Sequence, residues 1–509
     1  MDTKKIKYLH IAIIIIGAVL MISCGIHSNV WFDETYSVGM ANQSWSTLIE
    51  AGAADVHPLL YYFLIKIWSY IFGASIISLR IFSIIGMIVL SVLGFTHIRK
   101  DFNEKTGLIY SFIVSFLPMT LAYSSEIRMY SWAAVFVTLT AIYALRLYKL
   151  LYRRKEKWKD ISNKKEFIKN AALFVVFSIC SAYIHYFALI AICVINLILL
   201  VAIVKVKKKE LVWVVMGCIQ FILYLPGMII FLKQALRVSA GFWISIKYPD
   251  IFKDILVFNY TGNLGGKEWK AVILVFALSV AIFAIYRIVK YFIDCKKNIN
   301  SKDDNMNIAI LGLVIYIAVI AIALIASFIT PIFTTRYTIP IFGTLTIFIA
   351  YIVSQDKYKL IRTIGASVIV VLCIANSVAF YNENYNKNNL EPEQYVNEDI
   401  QNSDIFVYSD MGVGGIFAVK YPENQQYFYN QYNWTVETAY EAYSPQMTTV
   451  RDLDSVLEDY SGRIWIIDIA SKELTNKVLE MDEVTVLKKS KQFNINYKNI
   501  SMVVTLVEK

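Results

Sequence analysis

The sequence predicts a polytopic α-helical membrane protein of about 11 transmembrane helices, with amphipathic helices on its outer face and a small C-terminal extracytoplasmic α/β domain. Of its 509 residues, 57% are hydrophobic and only 17% are charged, whereas soluble domains are about 45–50% apolar. The charged residues stand in clusters between long apolar runs, and a membrane span takes roughly 20 such residues. After about residue 382 these runs give way to short strand-like segments.

Eleven apolar runs are the predicted spans: 8–26, 75–96, 106–124, 129–148, 170–184, 186–204, 210–231, 270–292, 307–329, 337–354 and 361–381. The first run follows three lysines, so a cleaved signal peptide, or a lipoprotein signal ending at Cys24, is an alternative. We interpret it as an uncleaved span because more spans follow. The six cysteines form no CxxC pair, which argues against a disulfide framework or a zinc site.

The apolar stretch 58–73 is ambiguous, because it is short, rich in aromatic residues and carries Lys66 in its middle. The positive-inside rule decides its placement. If 58–73 does not cross, the basic loops 97–105, 149–169, 205–209, 293–306 and 355–360 all lie in the cytoplasm with the N-terminus. We therefore expect 58–73 to lie flat at the outer interface of the plasma membrane. The net charge of +10 is then explained by topology, and we expect no nucleic-acid partner.

The predicted domains are 1–381, a transmembrane domain whose first outer loop is 27–74, and 382–509, a soluble domain outside the membrane. The segment 382–394 reads as a polar linker. Strands are predicted at 404–410, 463–470, 484–489 and 501–509. The sequence contains no GxGxxG or GxxxxGK[ST] motif, so a nucleotide site has no support.

Unusual polar residues collect at the outer ends of the predicted spans. Ionisable groups at membrane depth are costly and usually face a cavity or one another, so we expect a shared polar site on the outer side. The residues are Asp33, Glu34, His57, Glu126, Arg128, Tyr130, His185, Arg336 and Tyr337.

Each of these residues also has a simpler interpretation. Asp33 and Glu34 suit a general base or a metal-binding carboxylate, or a solvated pair in a loop. His57 suits contact with a substrate or a metal, or simple capping, with Pro58 in the first helical turn. Arg128 suits a phosphate, or a local ion pair with Glu126.

Arg336 suits a lipid phosphate, or snorkelling to the headgroups. A structural hydrogen bond suits His185. The long outer loop 232–270, with Arg237, Trp243 and Lys247, suits either a lid over the site or an interfacial segment.

The ordered series of Asp33-Glu34 after the first span, HPLLYY from His57, SLR at 78–80, ExRxY from Glu126 and Arg336-Tyr337 resembles the GT-C superfamily of membrane glycosyltransferases. It is most similar to the protein O-mannosyltransferase and aminoarabinose-transferase branch, over roughly residues 8–355. This chain has His-Pro-Leu-Leu where the family has His-Pro-Pro-Leu. The C-terminal domain carries no motif of the family.

The resemblance implies transfer of a sugar from a polyprenyl-phosphate donor to an acceptor hydroxyl on the outer face, with inversion. It implies Asp33 as the base with Glu34 beside it. The substrate-binding residues would be His57, Tyr61, Glu126, Arg128, Tyr130, His185, Arg336 and Tyr337. Some members use a divalent metal, but no ligand set can be assigned here, and the cofactor stays unknown. The acceptor, whether glycan, protein or lipid, is open.

These residue types suit that chemistry, because breaking an anomeric C–O bond leaves negative charge on the departing phosphate, where arginines stabilise the transition state. Other function classes remain. A transporter or flippase of lipid-linked glycans would also place charges in a membrane cavity, although inverted repeats and interrupted helices are not evident. A glycan polymerase or ligase would differ mainly in its acceptor. A sensor would use the external domain without chemistry.

Overall fold

The computed structural model describes residues 3–153, 164–204, 210–239, 244–297, 303–431, 437–458 and 460–509. The chain divides into two compact units. The first consists of Met1–Gly25 and Ile81–Ser377, and the second of Ile26–Arg80 and Val378–Lys509. The segment Ile26–Arg80, which includes the predicted first outer loop, therefore folds as one unit with the C-terminal region, although most of the membrane helices separate the two along the chain.

The predicted polytopic helical fold is confirmed. Within the described residues, ten helices are long and apolar enough to cross a membrane. They are Lys4–Gly25, Ile76–Asp101, Tyr130–Leu150, Lys164–Ile184, Tyr186–Val204, Leu211–Ser239, Lys267–Lys296, Asp304–Ser327, Thr335–Ser354 and Asp356–Asn384. Each corresponds to a predicted span, and many of their large apolar side chains are exposed, as lipid-facing side chains are.

The remaining predicted span, 106–124, is not one straight helix. It consists of Glu104–Phe116 and Pro118–Ser124, which meet at an angle of 60°. Leu117 between them has extended backbone angles, because a residue that precedes proline is pushed out of the helical region. Pro118 itself suits the first turn of the second piece.

Small residues bring the helices of the first unit together. A Cβ on Gly17 would lie 2.4 Å from the Cβ of Ser115, and one on Gly312 would lie 2.5 Å from the carbonyl oxygen of Thr344. Such close approach replaces the hydrophobic effect as the source of helix association in lipid. His10 and Ser111 add a hydrogen bond of 2.7 Å between the first and third spans.

The outer segment in the second unit contains three helices, Phe32–Asn42, Trp45–Ala54 and Leu60–Phe72. The last is the predicted amphipathic helix, and at 13 residues it is too short to span a bilayer. It begins at Leu60, so the expectation that Pro58 occupies its first turn is wrong. Lys66 is buried on this helix, where its ammonium donates to the carbonyl of Gln43.

The C-terminal region contains strands and helices, as predicted, and its six strands form one mixed sheet in the order β3-β2-β1-β4-β6-β5. The four strands β1 to β4 are parallel, and β6 pairs antiparallel with β4 and β5. The strands are β1 Ile405–Tyr408, β2 Gln426–Tyr429, β3 Met447–Val450, β4 Arg463–Asp468, β5 Thr485–Ile495 and β6 Ile500–Glu508. The helix Glu391–Asn397 precedes β1, and the helices between the strands are Met411–Lys420, Glu437–Tyr440, Asp454–Leu457 and Glu473–Leu479.

The core of this sheet explains which strands the sequence could reveal. The strands β1 and β4 are almost wholly buried, so they read as continuous apolar runs. The strands β2 and β3 have four residues each and partial burial, and the sequence did not predict them. The strand β5 is much longer than predicted, because exposed lysines interrupt its apolar pattern.

The predicted polar linker 382–394 is structured. The last span continues to Asn384, a 3-10 turn follows at Lys387–Asn389, and a helix begins at Glu391. The basic clusters at 154–159 and 205–209, and Trp243 of the long outer loop, lie outside the described residues. The orientation of the chain in its membrane therefore stays a prediction.

Candidate active site

The helix Phe32–Asn42 carries the Asp33-Glu34 pair in its first turn. No side-chain hydrogen bond caps its N-terminus at Trp31. The two carboxylates point to different surroundings, because neighbouring residues of a helix lie about 100° apart around its axis. Asp33 is partly exposed, whereas Glu34 is completely buried.

Glu34 is held by a buried arginine and a tyrosine. The Nε and Nη2 of Arg80 donate to the two carboxylate oxygens of Glu34, each at 2.9 Å. The Tyr497 hydroxyl donates to Oε2 at 2.8 Å. A paired fork of this kind is both strong and geometrically specific. Glu34 therefore anchors the first turn of the helix that carries Asp33.

The guanidinium of Arg80 also fixes the chain that enters this helix. It donates to the carbonyl oxygens of His27 and Asn29, and its Nη1 lies 3.0 Å from Nδ1 of His27. A guanidinium only donates, so Nδ1 accepts and the imidazole is neutral. Burial, together with the positive charges of Arg80 and Lys498, lowers the pKa of His27 to about 2.

The C-terminal region packs directly on the same helix. The hydroxyls of Thr35 and Tyr443 lie 3.0 Å apart. A Cβ on Gly39 would lie 2.6 Å from the carbonyl oxygen of Ala442, and one on Gly415 would lie 2.6 Å from the hydroxyl of Thr35. Glycine at these two positions thus permits the close approach.

His57 follows the second outer helix and pairs with a carboxylate. Its Nδ1 lies 3.0 Å from Oδ2 of Asp55, and the Tyr62 hydroxyl donates to that oxygen at 3.4 Å. Both His57 and Asp55 are partly exposed. Tyr61 is fully buried and makes an edge-to-face contact with Tyr62.

In the first unit, Glu126 and Arg128 lie in the bend before the long helix that begins at Tyr130. Both side chains are only 4% exposed. The backbone amide of Arg128 donates to the carbonyl oxygen of Glu126 at 2.7 Å, which keeps the bend tight. A buried arginine needs negative or polar partners.

His185 lies among three aromatic residues of the first unit. Its ring contacts Tyr130, Phe187 and Tyr337, with centroids 5.7, 5.9 and 5.2 Å away. The backbone amide of Phe187 donates to Nδ1 of His185 at 3.0 Å, so the proton of the neutral ring is on Nε2. Arg336 precedes Tyr337 in a 3-10 turn, with its guanidinium 5.9 Å from the ring centre.

The predicted residues are divided between the two units. Asp33, Glu34, His57 and Tyr61 belong to the second unit. Glu126, Arg128, Tyr130, His185, Arg336 and Tyr337 belong to the first. Their assignment to a catalytic or binding role stays a prediction.

The sequence missed two residues that organise this site, Arg80 and Tyr497. Arg80 stood in the SLR motif, and a buried arginine in an apolar run was a usable signal. No signal pointed to Tyr497, which is one tyrosine among 34.

A metal site was tested against the donor groups. Within the described ranges, no three histidine, cysteine, aspartate or glutamate side chains come together as metal ligands would. The six cysteines are unpaired thiols. We therefore derive no step through a metal.

The first unit also contains an apolar cavity of about 810 Å³. The helices Glu104–Phe116, Lys267–Lys296, Phe342–Ser354 and Lys359–Asn384 provide most of its walls. Its few polar lining residues include Asn259, Ser279 and Arg362. The helix Tyr248–Thr261 of the long outer loop contributes Asn259 and packs against Pro118–Ser124.

Comparison with known proteins supports this fold. No family model and no curated protein matches the sequence. Among solved structures, the chain is similar to ArnT from Cupriavidus metallidurans in the apo state, with a TM-score of 0.57 and 9% identity over 97% of each chain. ArnT from the same organism bound to undecaprenyl phosphate gives a TM-score of 0.56 and 8% identity, over 99% of this chain and 98% of that one.

The chain therefore shares its fold with ArnT over nearly the whole length of both chains, and the predicted resemblance is confirmed at the level of fold.

Proposed function

We propose that this chain is a membrane glycosyltransferase. It moves a sugar from a polyprenyl-phosphate donor to an acceptor hydroxyl on the outer face of the plasma membrane, with the N-terminus in the cytoplasm. The observation that carries the proposal is the partly exposed Asp33 on a helical turn whose other carboxylate, Glu34, is locked by Arg80. A rigidly held carboxylate is what a general base requires.

The reaction exchanges one bond to the anomeric carbon for another. The acceptor oxygen attacks that carbon while the bond to the phosphate oxygen breaks. The leaving polyprenyl phosphate takes the electron pair, and Asp33 takes the acceptor's proton. Attack opposite the leaving group inverts the anomeric carbon, as in inverting sugar hydrolysis.

The leaving phosphate gains negative charge as its bond breaks, and we assign Arg128 and Arg336 to it. Arginine presents a planar set of donors that matches phosphate oxygens. Tyr130, Tyr337 and His185, with its proton on Nε2, supply further donors in the same group of the first unit. Interactions that strengthen as charge develops lower the barrier.

We assign Glu34 a positioning role rather than proton transfer. Its carboxylate accepts from Arg80 and Tyr497, and these contacts hold it at a fixed position. His57, held by Asp55, is assigned to contact with the substrate.

The apolar cavity supports a lipid-linked donor. A polyprenyl chain needs a binding surface without charge, and the cavity of about 810 Å³ has mostly apolar walls. ArnT, which shares this fold, has been crystallised with undecaprenyl phosphate. We propose that the same class of lipid binds here, with membrane lipid as the competitor.

The cavity can be tested by filling it. Gly365 lines it and has open space where a side chain would start, so Gly365→Leu should reduce the affinity for undecaprenyl phosphate about ten-fold or more without a clash. Gly217 has equally open space on another span, and Gly217→Leu is the matched control. Binding is measured on the full chain in nanodiscs, and equal affinities for both variants would contradict the assignment.

The activity itself is tested with Asp33→Asn. The purified chain in nanodiscs is offered a panel of undecaprenyl-phosphate monosaccharides carrying labelled hexoses or pentoses, with native membranes as acceptor. Transfer is followed as label leaving the lipid fraction. Loss of a general base should reduce transfer by about 10²-fold or more, while Asp482→Asn, at an exposed position, should retain it.

Three outcomes would overturn the proposal. Full transfer by Asp33→Asn would show that Asp33 is not the general base. If no donor is consumed while the intact lipid-linked sugar moves between the leaflets of a proteoliposome, the chain is a transporter. Transfer of whole glycans in place of single sugars would identify a polymerase or ligase.

A further inference from the structure

The Tyr497 hydroxyl reaches Glu34 from the far end of the chain. It donates to Oε2 at 2.8 Å across a sequence separation of 463 residues. Tyr497 is 5% exposed, so this bond is shielded from water. Hydrogen bonds to a charged group are stronger than those between neutral groups.

The backbone holds this tyrosine in place. It lies in the tight turn Tyr497–Asn499 that joins β5 to β6, where Lys498 and Asn499 have φ angles of 55° and 51°. The amide of Tyr497 donates to Oδ1 of Asn389 at 3.1 Å. Its ring meets that of His27 edge to face at 5.5 Å. The hydroxyl is therefore directed at Glu34 by the turn, the amide contact and the ring contact together.

A second tyrosine of the C-terminal region contacts the next residue of the same helical turn. The Tyr443 hydroxyl lies 3.0 Å from that of Thr35. Asp33, Glu34 and Thr35 are consecutive, so the C-terminal region holds both residues that follow Asp33.

We propose that Tyr497 is a positioning residue for Asp33, acting through Glu34, and that Tyr443 assists it through Thr35. The C-terminal α/β region is then an integral part of the catalytic unit, not a separate ligand-binding module. This inference rests on the proposed function, because it takes Asp33 to be the base. A displacement of about 1 Å at a reacting group can lower the rate about 10²-fold. Loss of the Tyr497 hydroxyl would therefore lower the rate of transfer if it lets Asp33 move.

The test is Tyr497→Phe, which removes one oxygen and keeps the ring packing. We expect kcat for the labelled undecaprenyl-phosphate sugar to fall about ten-fold, while KM and the binding of undecaprenyl phosphate stay as in the wild type. The matched control is Tyr421→Phe, which removes a hydroxyl that donates to Asn397 at 2.8 Å elsewhere in the same unit. It should leave kcat unchanged.

Counting active sites distinguishes a positioning role of Tyr497 from a role in folding alone. The amount of undecaprenyl phosphate bound at saturation gives the concentration of folded chain, and kcat is expressed per bound lipid. Misfolding lowers the binding capacity and leaves kcat per site intact. If Tyr497→Phe yields too little folded chain, Tyr443→Phe gives the same reading through Thr35.

The results distinguish the two levels of inference. If Asp33→Asn abolishes transfer while Tyr497→Phe and Tyr443→Phe keep wild-type kcat per site, the positioning role is refuted and the proposed function stands. If Asp33→Asn keeps its activity, the proposed function fails first. A parallel fall of kcat and lipid affinity in Tyr497→Phe would indicate a donor contact and would also overturn positioning.

Discussion

Replacing Arg80 with methionine should be among the most damaging single changes in the second unit. The guanidinium and the Glu34 carboxylate are both buried, and two N–H···O contacts of 2.9 Å join them. Arg80 also donates to the carbonyl oxygens of His27 and Asn29. Methionine keeps much of the volume but removes every donor, so Glu34 loses both charged contacts.

The expected loss of stability follows from that geometry. Removing one partner of a buried ion pair costs about 3–5 kcal/mol, because it leaves an uncompensated charge in the interior. For a unit of this size, each kcal/mol lowers the midpoint by roughly 2–4 °C. We therefore expect Arg80→Met to lower the unfolding temperature by about 10 °C.

The assay is thermal unfolding of the purified full chain in detergent, followed by tryptophan fluorescence. The matched control is Arg451→Met, because Arg451 pairs with Glu437 at 2.6 Å at the exposed surface of the same unit. Exposed pairs contribute about 0–1 kcal/mol, so this variant should unfold within about 3 °C of the wild type. If both arginine variants unfold at the wild-type temperature, the buried pair does not anchor the helix and the reasoning fails.

Three further predictions use the same unit. The pKa of His27 is lowered from 6.5 to about 2, so below pH 6.5 the unfolded chain binds a proton that the folded chain does not. The free energy of unfolding is therefore highest above pH 6.5 and falls by up to about 1.4 kcal/mol per pH unit below it. Denaturant titrations from pH 7 to pH 4.5 should show a flatter decline in His27→Gln. Gly39→Ala should destabilise by about 1–3 kcal/mol, because its Cβ would lie 2.6 Å from the backbone oxygen of Ala442, and an unchanged denaturation midpoint would contradict that contact. Lys66→Met should lower stability by about 1–3 kcal/mol, measured by the same titration, because the part-buried carbonyl of Gln43 loses its donor. An unchanged stability would mean that water replaces the ammonium.

The membrane architecture could be predicted from the sequence because its signal is local. A span needs roughly 20 consecutive apolar residues, and each predicted run corresponds to a helix in the described parts of the chain. The elements that were not predicted correctly also have local causes. The proline at position 118 breaks the third span, and the short strands β2 and β3 carry too few residues to show a period.

The candidate site was only partly predictable, because side-chain partners are not a local property. The sequence placed Asp33 and Glu34 together as equal candidates, and only their burial separates them. Arg80 stood in a noted motif, but its partner lies 46 residues away. Tyr497 could not be selected from the sequence, since its role depends on a contact across 463 residues.

The sequence by itself determined the membrane class, the number and order of the spans, and the polar residues at their ends, because hydrophobic length and charge act residue by residue along the chain. Tertiary structure decided which carboxylate is locked and which is exposed. It also joined the first outer segment to the C-terminal sheet in one unit. Those outcomes arise because burying Glu34 is stable only where Arg80 and Tyr497 converge on it, and folding alone brings those three side chains together.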